Sequence, residues 1–194
     1  MIDKRRYCNG EEYFLLGKSY SIKIKKVPAE EKISMCISES EQRKWILQTP
    51  SMSKKIIRET IVQWYRCQAK KIIYERVQFY QPYVNEKIGT IRIKEQKTRW
   101  GSCSSKHNLN FNWKCIMAPI EMVDYIVVHE LCHLKQMNHS QAFWNEVGKI
   151  LPDYKMRDMW WKKHGKEMEI DYIYRKNEND SERLSDIENI CKGK

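Results

Sequence analysis

The chain has 194 residues, of which 41% are hydrophobic, and a formal net charge of +11. This length and composition suit one domain with its own core, and no apolar run approaches the roughly 18 residues of a membrane-spanning helix. The N-terminus has no apolar stretch of the signal-peptide type, so the sequence predicts a cytoplasmic protein without membrane contact.

Seven cysteines are spread along the chain without forming a C-x-x-C pair. Their odd number and irregular spacing argue against a disulfide framework. A structural zinc site of four cysteines needs ligands paired at short spacing, which the sequence lacks. We therefore expect reduced thiols.

The first third of the chain contains a β-rich segment and a long helix. Alternating and β-branched runs at 20–25 and 33–37 predict a small antiparallel sheet within residues 12–38. Apolar positions then recur every three or four residues, which predicts a long amphipathic helix that Pro82 stops. Its buried stripe is predicted to consist of Ile57, Ile61, Tyr65, Ala69, Ile73, Val77 and Tyr80.

The middle of the chain predicts a second small sheet followed by helices. Strand candidates at 90–93 and 109–113 are joined by a loop at 99–105. Pro119 suits the first position of a helix that should end near Asn138. Ser140 is placed to cap the next helix, and Pro152 with Asp153 begins a last one.

Two histidines on the first of these helices have metal-ligand spacing. His129 and His133 are four residues apart, so they lie about one turn apart on the same helix face. Zinc binds imidazole nitrogen, and a catalytic zinc site has three protein ligands plus an open position for water. Glu130 follows His129 directly; it is expected to act as general base on the metal-activated water rather than as a ligand.

The third ligand is best supplied by His139, ten residues after His129 and past the expected end of the helix. The H-E-x-x-H-x-x-G-x-x-H pattern has this spacing. Gln136 stands where that pattern has glycine, so we expect a different turn, for example with Asn138 in a left-handed conformation. Glu146 on the following helix is the alternative ligand.

Four segments together resemble one known family, the YgjP-like metallopeptidases, which are relatives of the SprT-type zincins. The similarity runs from about Tyr13 to Trp161 and is densest between Arg99 and Trp144. It is carried by Arg99-Trp100-Gly101-Ser102-Cys103, Leu109-Asn110-Phe111-Asn112-Trp113, Val127-Val128-His129-Glu130-Leu131-Cys132-His133-Leu134, and Asn138-His139-Ser140 with Phe143-Trp144.

The resemblance implies an α+β, zincin-like domain with N-terminal antiparallel strands, a long helix, a small sheet and a metal-binding helix. It further implies one Zn²⁺ per chain held by His129, His133 and His139, with Glu130 as the catalytic base and a protein or peptide as substrate. We expect one domain over residues 1–175, with a β-rich part at 1–48 and a catalytic part at 49–175. A polar tail should follow at 176–194.

Substrate binding is predicted along an edge strand at 108–113, which would place Asn110 and Asn112 against an extended peptide. Arg99 is a candidate donor to the oxyanion or to a substrate carboxylate. Other candidate oxyanion donors are Tyr154, His164 and Tyr172. His107 stands where family members commonly have glycine and is expected at the surface, and Cys132 is expected in the core.

Two other functional classes remain open at this point. Basic residues concentrate between Lys54 and Lys106, so the long helix is a possible nucleic-acid surface, with zinc structural or with proteolysis confined to DNA-bound proteins. The same charges suit an ordinary solvated helix face. Hydrolysis of a non-peptide amide is the third possibility.

Overall fold

Residues 5–38, 40 and 42–170, which the computed structural model describes, form two β-sheets and four α-helices. The strands are β1 Glu12–Leu15, β2 Lys18–Lys26, β3 Ser34–Ile37, β4 Lys44–Thr49, β5 Ile91–Lys94, β6 Gly101–Cys103 and β7 Leu109–Asn112. The helices are α1 Lys54–Val84, α2 Ile120–Cys132, α3 Gln141–Ile150 and α4 Tyr154–His164, with short 3-10 helices at Trp113–Met117 and Gly165–Glu167. The predicted α+β class is confirmed. None of these helices is long and apolar enough to cross a membrane, and the predicted tail at 176–194 lies outside the described residues.

The N-terminal sheet has the order β1-β2-β4-β3 and is mixed. The pairs β1–β2 and β3–β4 are antiparallel, whereas β2–β4 is parallel. The predicted antiparallel sheet is therefore mixed, because β4 lies between the predicted strands β2 and β3. The sequence patterns did not identify β4, although its Trp45 and Leu47 are fully buried. Because β4 carries the larger apolar side chains, it takes the interior of the sheet, and the more exposed β3 takes the edge.

The turn between β1 and β2 fixes this sheet to the rest of the molecule. Leu16 and Gly17 both have positive φ, at 49° and 75°, as a two-residue type I′ turn requires. Their N–H groups donate to the carbonyls of Ile116 and Met117. A side chain at Gly17 would meet Pro119 at 2.9 Å, at the start of α2, so the glycine permits this close approach.

Helix α1 buries the predicted apolar stripe, extended by Trp64 and Val84. The helix does not stop at Pro82, which lies within its last turn. A proline there removes one backbone hydrogen bond but retains a helical φ. The helix ends at Asn85, whose left-handed conformation and N–H bond to the Gln81 carbonyl terminate it.

The second sheet has the order β5-β7-β6, with β5–β7 parallel and β6–β7 antiparallel. Strand β6 lies within the segment predicted as a loop. The prediction that residues 108–113 form an edge strand is wrong, because β7 has partners on both sides. Among the described residues the edge beside α2 belongs to β6, which contacts that helix.

Helix α2 lies at the centre of the catalytic part and contacts α1, β6, α3 and α4. Every side chain from Met122 to Val128 is buried. The helix ends at Cys132, several residues before the predicted end near Asn138, and tight turns at residues 133–136 follow it. This early end frees the chain to fold back before α3.

Candidate metal centre

The three predicted histidine ligands converge at the C-terminal end of α2. One ring nitrogen of each of His129, His133 and His139 lies within 4.8 Å of the others, and the Nε2 atoms of His129 and His139 are 3.0 Å apart. These residues are the group of metal-binding side chains found in the described part of the chain. The predicted alternative, Glu146, instead pairs with Lys135 and Lys149.

The turn after α2 orients the second histidine. Nδ1 of His133 lies 2.9 Å from the carbonyl oxygen of Gln136. Because a carbonyl can only accept, Nδ1 carries the proton, and Nε2 keeps its lone pair for a ligand. Gln136 therefore contributes its backbone at the position where the motif has glycine. Asn138, predicted to be left-handed, is not among the residues with positive φ.

Aromatic side chains of α3 support the imidazole rings. Phe143 stacks on His133 at 4.5 Å between ring centroids, and Trp144 stacks on His139 at 5.7 Å. The Ser140 hydroxyl accepts a hydrogen bond from the Phe143 N–H, which caps α3 as predicted. The start of α3 therefore fixes both the aromatic support and the approach of His139.

The chemistry of these donors fits a metal ion. Burial, together with the neighbouring His133 and His139, lowers the pKa of His129 to about 3. Burial also lowers the pKa of His133. Both rings are thus neutral, as metal ligation requires. Two nitrogens at about 2.0–2.1 Å from one tetrahedral zinc ion lie about 3.3 Å apart, close to the separation of the His129 and His139 nitrogens.

Two buried polar atoms at this site have no hydrogen-bond partner among the described residues. They are Nδ1 of His129 and Oε2 of Glu130. Buried polar atoms are nearly always paired, and exceptions often mark a ligand or catalytic group. Oε2 of Glu130 is thus free to bind a ligand at this site. Nδ1 of His129 is the ring nitrogen that does not face His139.

Glu130 lies against the edge strand β6. Its side chain is only 5% exposed, and a Cβ at Gly101 would lie 2.5 Å from Oε1 and 2.6 Å from Cγ. Burial raises the pKa of Glu130 to about 8 in the metal-free protein, and the charge of Arg99 opposes that rise. A bound dication would also favour the carboxylate. The absence of a side chain at Gly101 is what makes room for this carboxyl group.

The histidines and Glu130 line an open pocket of about 670 Å³. Residues 99–103 form one wall of the pocket. Tyr125 of α2 and Asp158 and Lys162 of α4 line the rest of it. The Tyr125 hydroxyl donates to Asp158 at 3.1 Å. Sequence reasoning did not identify Tyr125, although it lies one helical turn before His129. Asp158 on α4 had no sequence signal, because only tertiary packing brings it here.

Several predicted residues lie elsewhere. The Asn110 amide donates to Ser102, and that of Asn112 donates to the carbonyls of Gln96 and Arg99; neither residue lines the pocket. Of the predicted oxyanion donors, His164 is buried beside Glu167 and Tyr154 stacks on Trp144, whereas Tyr172 lies outside the described residues.

Two further residues were singled out in the sequence. His107 adopts a φ of 57°, in the region that favours glycine. Cys132 is buried in the core as predicted.

An H-E-x-x-H helix joined by a third histidine beside a small sheet is the arrangement of zinc-dependent metallohydrolases. A family model described as "YgjP-like, metallopeptidase domain" matches residues 2–164. The chain belongs to this family, and it is a metallopeptidase, an enzyme of the hydrolase class. Its substrates are accordingly proteins or peptides.

The solved structures that are similar to part of the chain include two metallopeptidase zymogens. The metallopeptidase zymogen of Pyrococcus abyssi abylysin is 24% identical, with a TM-score of 0.43, over 47% of this chain and 93% of that one. The metallopeptidase zymogen of Methanocaldococcus jannaschii jannalysin is 28% identical, with a TM-score of 0.41, over 48% of this chain and 88% of that one. No curated protein sequence matches the chain.

Proposed function

We propose that the protein is a zinc-dependent peptidase in which His129, His133 and His139 hold one Zn²⁺ per chain and Glu130 is the general base. The observation that carries this proposal is the convergence of three imidazoles in one pocket with a buried carboxyl group whose Oε2 has no hydrogen-bond partner among the described residues. Bound zinc would supply Lewis acidity, lowering the pKa of water and polarising a carbonyl group.

The protein's own residues would hold the substrate and move the protons. Glu130 accepts a proton from the attacking water and returns it to the leaving amine. Arg99, which lines the same pocket, is placed to bind the developing oxyanion or a substrate carboxylate. Of the three predicted substrate-binding residues, Arg99 is the one that lines the pocket, so we keep its proposed role.

Strand β6 replaces β7 as the proposed edge for an extended peptide. The Trp100 carbonyl accepts from the Asn112 N–H at 2.8 Å, and hydrogen-bonded pairs alternate in an antiparallel ladder. The backbone groups of Gly101 and Cys103 therefore point towards the free edge. A peptide paired there would run directly past Glu130.

The decisive experiment compares metal content and hydrolysis in the wild type and the Glu130→Gln variant. The variant is expected to retain one zinc ion per chain and to lose peptide hydrolysis by a factor of about 10²–10⁴, because only proton transfer is removed. Metal content is measured by elemental analysis and hydrolysis with a fluorogenic peptide library. Unchanged hydrolysis, or equal loss of metal and activity, would contradict the assigned role.

We further propose that residues 1–175 form one domain, of which residues 1–4, 39, 41 and 171–175 lie outside the described residues. The β-rich part and the catalytic part share a core: Trp45 of β4 lies 4.5 Å from Trp64 of α1 between ring centroids. The Tyr65 hydroxyl also donates to the Phe14 carbonyl at 2.6 Å. Residues 1–48 should accordingly not fold separately.

A nucleic-acid-associated function is the second candidate, and one observation favours it. The exposed face of α1 carries Lys54, Lys55, Arg66, Lys70 and Lys71. Phosphate neutralisation by such a face would make binding fall steeply with salt. A salt titration against duplex and single-stranded DNA tests it, and affinity that is weak or independent of salt eliminates it.

A further inference from the structure

A second groove adjoins the metal pocket on the side of Arg99. It has a volume of about 260 Å³ and shares Arg99, Trp100, Trp161 and Lys162 with the pocket. The rings of Trp100 and Trp161 pack at 4.5 Å between centroids and form the wall common to both. A substrate leaving the pocket in this direction therefore enters the groove.

The groove is strongly basic. Its lining includes the exposed side chains of Lys97, Arg99, Lys162 and Lys166. Lys162 pairs with Asp158 at 2.7 Å, whereas none of the other three cations has a carboxylate partner among the described residues.

The acidic side chain that lines the groove is already engaged. Glu169 pairs with the buried Nζ of Lys114 at 2.5 Å. Lys114 also pairs with Glu95 at 3.2 Å. Lys97, Arg99 and Lys166 nevertheless outnumber the one carboxylate in the groove lining, and this excess of positive charge creates a potential that attracts negative groups.

The strand geometry relates this groove to the cleaved bond. Glu130 lies against Gly101, and Arg99 precedes Gly101 by two residues. Two residues of chain span at most roughly 7 Å, so the Arg99 backbone lies within that distance of Gly101. That distance corresponds to about two residues of an extended peptide.

Building on the proposed peptidase function, we propose that Lys97, Arg99 and Lys166 form a subsite for an acidic substrate side chain within three residues of the cleaved bond. The protein thus prefers peptides that carry Asp or Glu there. A peptide suits the groove better than a nucleic acid because the groove continues the edge of β6, where main-chain pairing aligns an extended chain.

The test uses matched fluorogenic peptides that carry Glu, Gln or Lys at each position up to three residues on either side of the cleaved bond. At one position the wild type should show a kcat/KM about tenfold higher for Glu than for Gln, and lower still for Lys. The ratio of kcat/KM for the Glu peptide to that for the Gln peptide should fall towards one at about 0.5 M salt, because salt screens exposed charges. Equal rates for the three side chains at every position would overturn the proposal.

Charge variants identify the residues responsible. In Lys97→Glu/Lys166→Glu the preference should shift from Glu towards Lys, and in Lys97→Gln/Lys166→Gln it should be lost. The control Lys70→Glu/Lys71→Glu makes the same charge change on the exposed face of α1 and should retain the Glu preference. If the Glu preference survives in both groove variants, other residues cause it and the proposed subsite is wrong.

Peptide binding to the Glu130→Gln protein separates this proposal from the proposed function. Fluorescence anisotropy should show tighter binding of the Glu peptide than of the Gln peptide even without hydrolysis. If that difference is present but the wild type cleaves nothing, the peptidase assignment fails and the subsite stands. If the wild type cleaves Glu, Gln and Lys peptides alike, the subsite fails and the peptidase stands.

A competition experiment distinguishes a peptide from a nucleic acid. Displacement of the Glu peptide by a short oligonucleotide at equal concentration would make the groove a phosphate site and contradict the proposal.

Discussion

At the scale of single residues, Gly101 controls the position of Glu130. The carboxyl group is buried against the bare backbone of β6, and even the Cγ atom of Glu130 would lie only 2.6 Å from an added Cβ. Moving the carboxyl group alone does not relieve this contact, because Cγ is also too close to the added Cβ. A methyl group at residue 101 therefore has to displace the proposed base.

We predict that Gly101→Ala lowers kcat by about a hundredfold, the scale of general-base catalysis, while zinc content stays at the wild-type level. Gly148→Ala is the matched control, since its added methyl meets the Tyr154 ring at an ordinary 3.4 Å. That variant should keep full activity. Wild-type turnover in Gly101→Ala, measured beside elemental analysis of zinc, would show that the Gly101–Glu130 contact does not set the position of the base.

At the scale of elements, one partly buried ion pair joins the long helix to the metal-binding helix. Arg76 of α1 contacts Asp124 of α2 through two hydrogen bonds, Nε–Oδ1 at 2.5 Å and Nη2–Oδ2 at 2.9 Å. The Tyr80 hydroxyl donates to the same carboxylate at 3.0 Å. Asp124 is only 7% exposed, so these partners replace most of the water that would otherwise surround its carboxylate. Arg76 is consequently directed inwards and is not part of the exposed basic face of α1.

Removing the cation should destabilise the fold strongly. Arg76→Met leaves Asp124 buried without its charge partner, which costs about 3–5 kcal/mol of unfolding free energy. The comparison is Arg66→Met, whose partner Glu95 is 40% exposed and whose loss costs about 1 kcal/mol or less. Urea unfolding measures both values. Similar losses of unfolding free energy in the two variants would mean that the burial of Asp124 does not make the Arg76–Asp124 pair more important than the Arg66–Glu95 pair.

At the scale of the whole molecule, the metal centre joins separate parts of the chain. His129 lies in α2, His133 directly follows the end of that helix, and His139 lies in the loop before α3. The pocket walls come from β6 and α4. A metal ion that binds only this assembled arrangement stabilises the folded state by mass action. Stability should therefore depend on metal occupancy.

Removing zinc with a chelator is expected to lower the Tm by roughly 5–10 °C, corresponding to about 2.7 kcal/mol when free zinc stands at a hundred times the Kd. Adding zinc back should restore the original value. In His139→Ala the difference between chelated and zinc-loaded protein should shrink, because one ligand is missing. Calorimetry measures the melting curves. Identical curves with and without zinc would show that zinc does not bind preferentially to the folded protein.

The sequence by itself determined the features that depend on local spacing. The four-residue interval between His129 and His133 fixes their common helix face, and the apolar period fixes the buried stripe of α1. The Ser140 cap is likewise local. These predictions agree with the structure because helix geometry is set by neighbouring residues.

Only the tertiary structure decided which strand forms the free edge, where α2 ends and what faces the histidines. Strand order depends on contacts between distant segments, so the local pattern of 108–113 could not show that β7 lies inside its sheet. The same reason applies to Gly101 beside Glu130 and to Asp158 in the pocket. Their roles come from packing between β6, α2 and α4, which no spacing along the chain encodes.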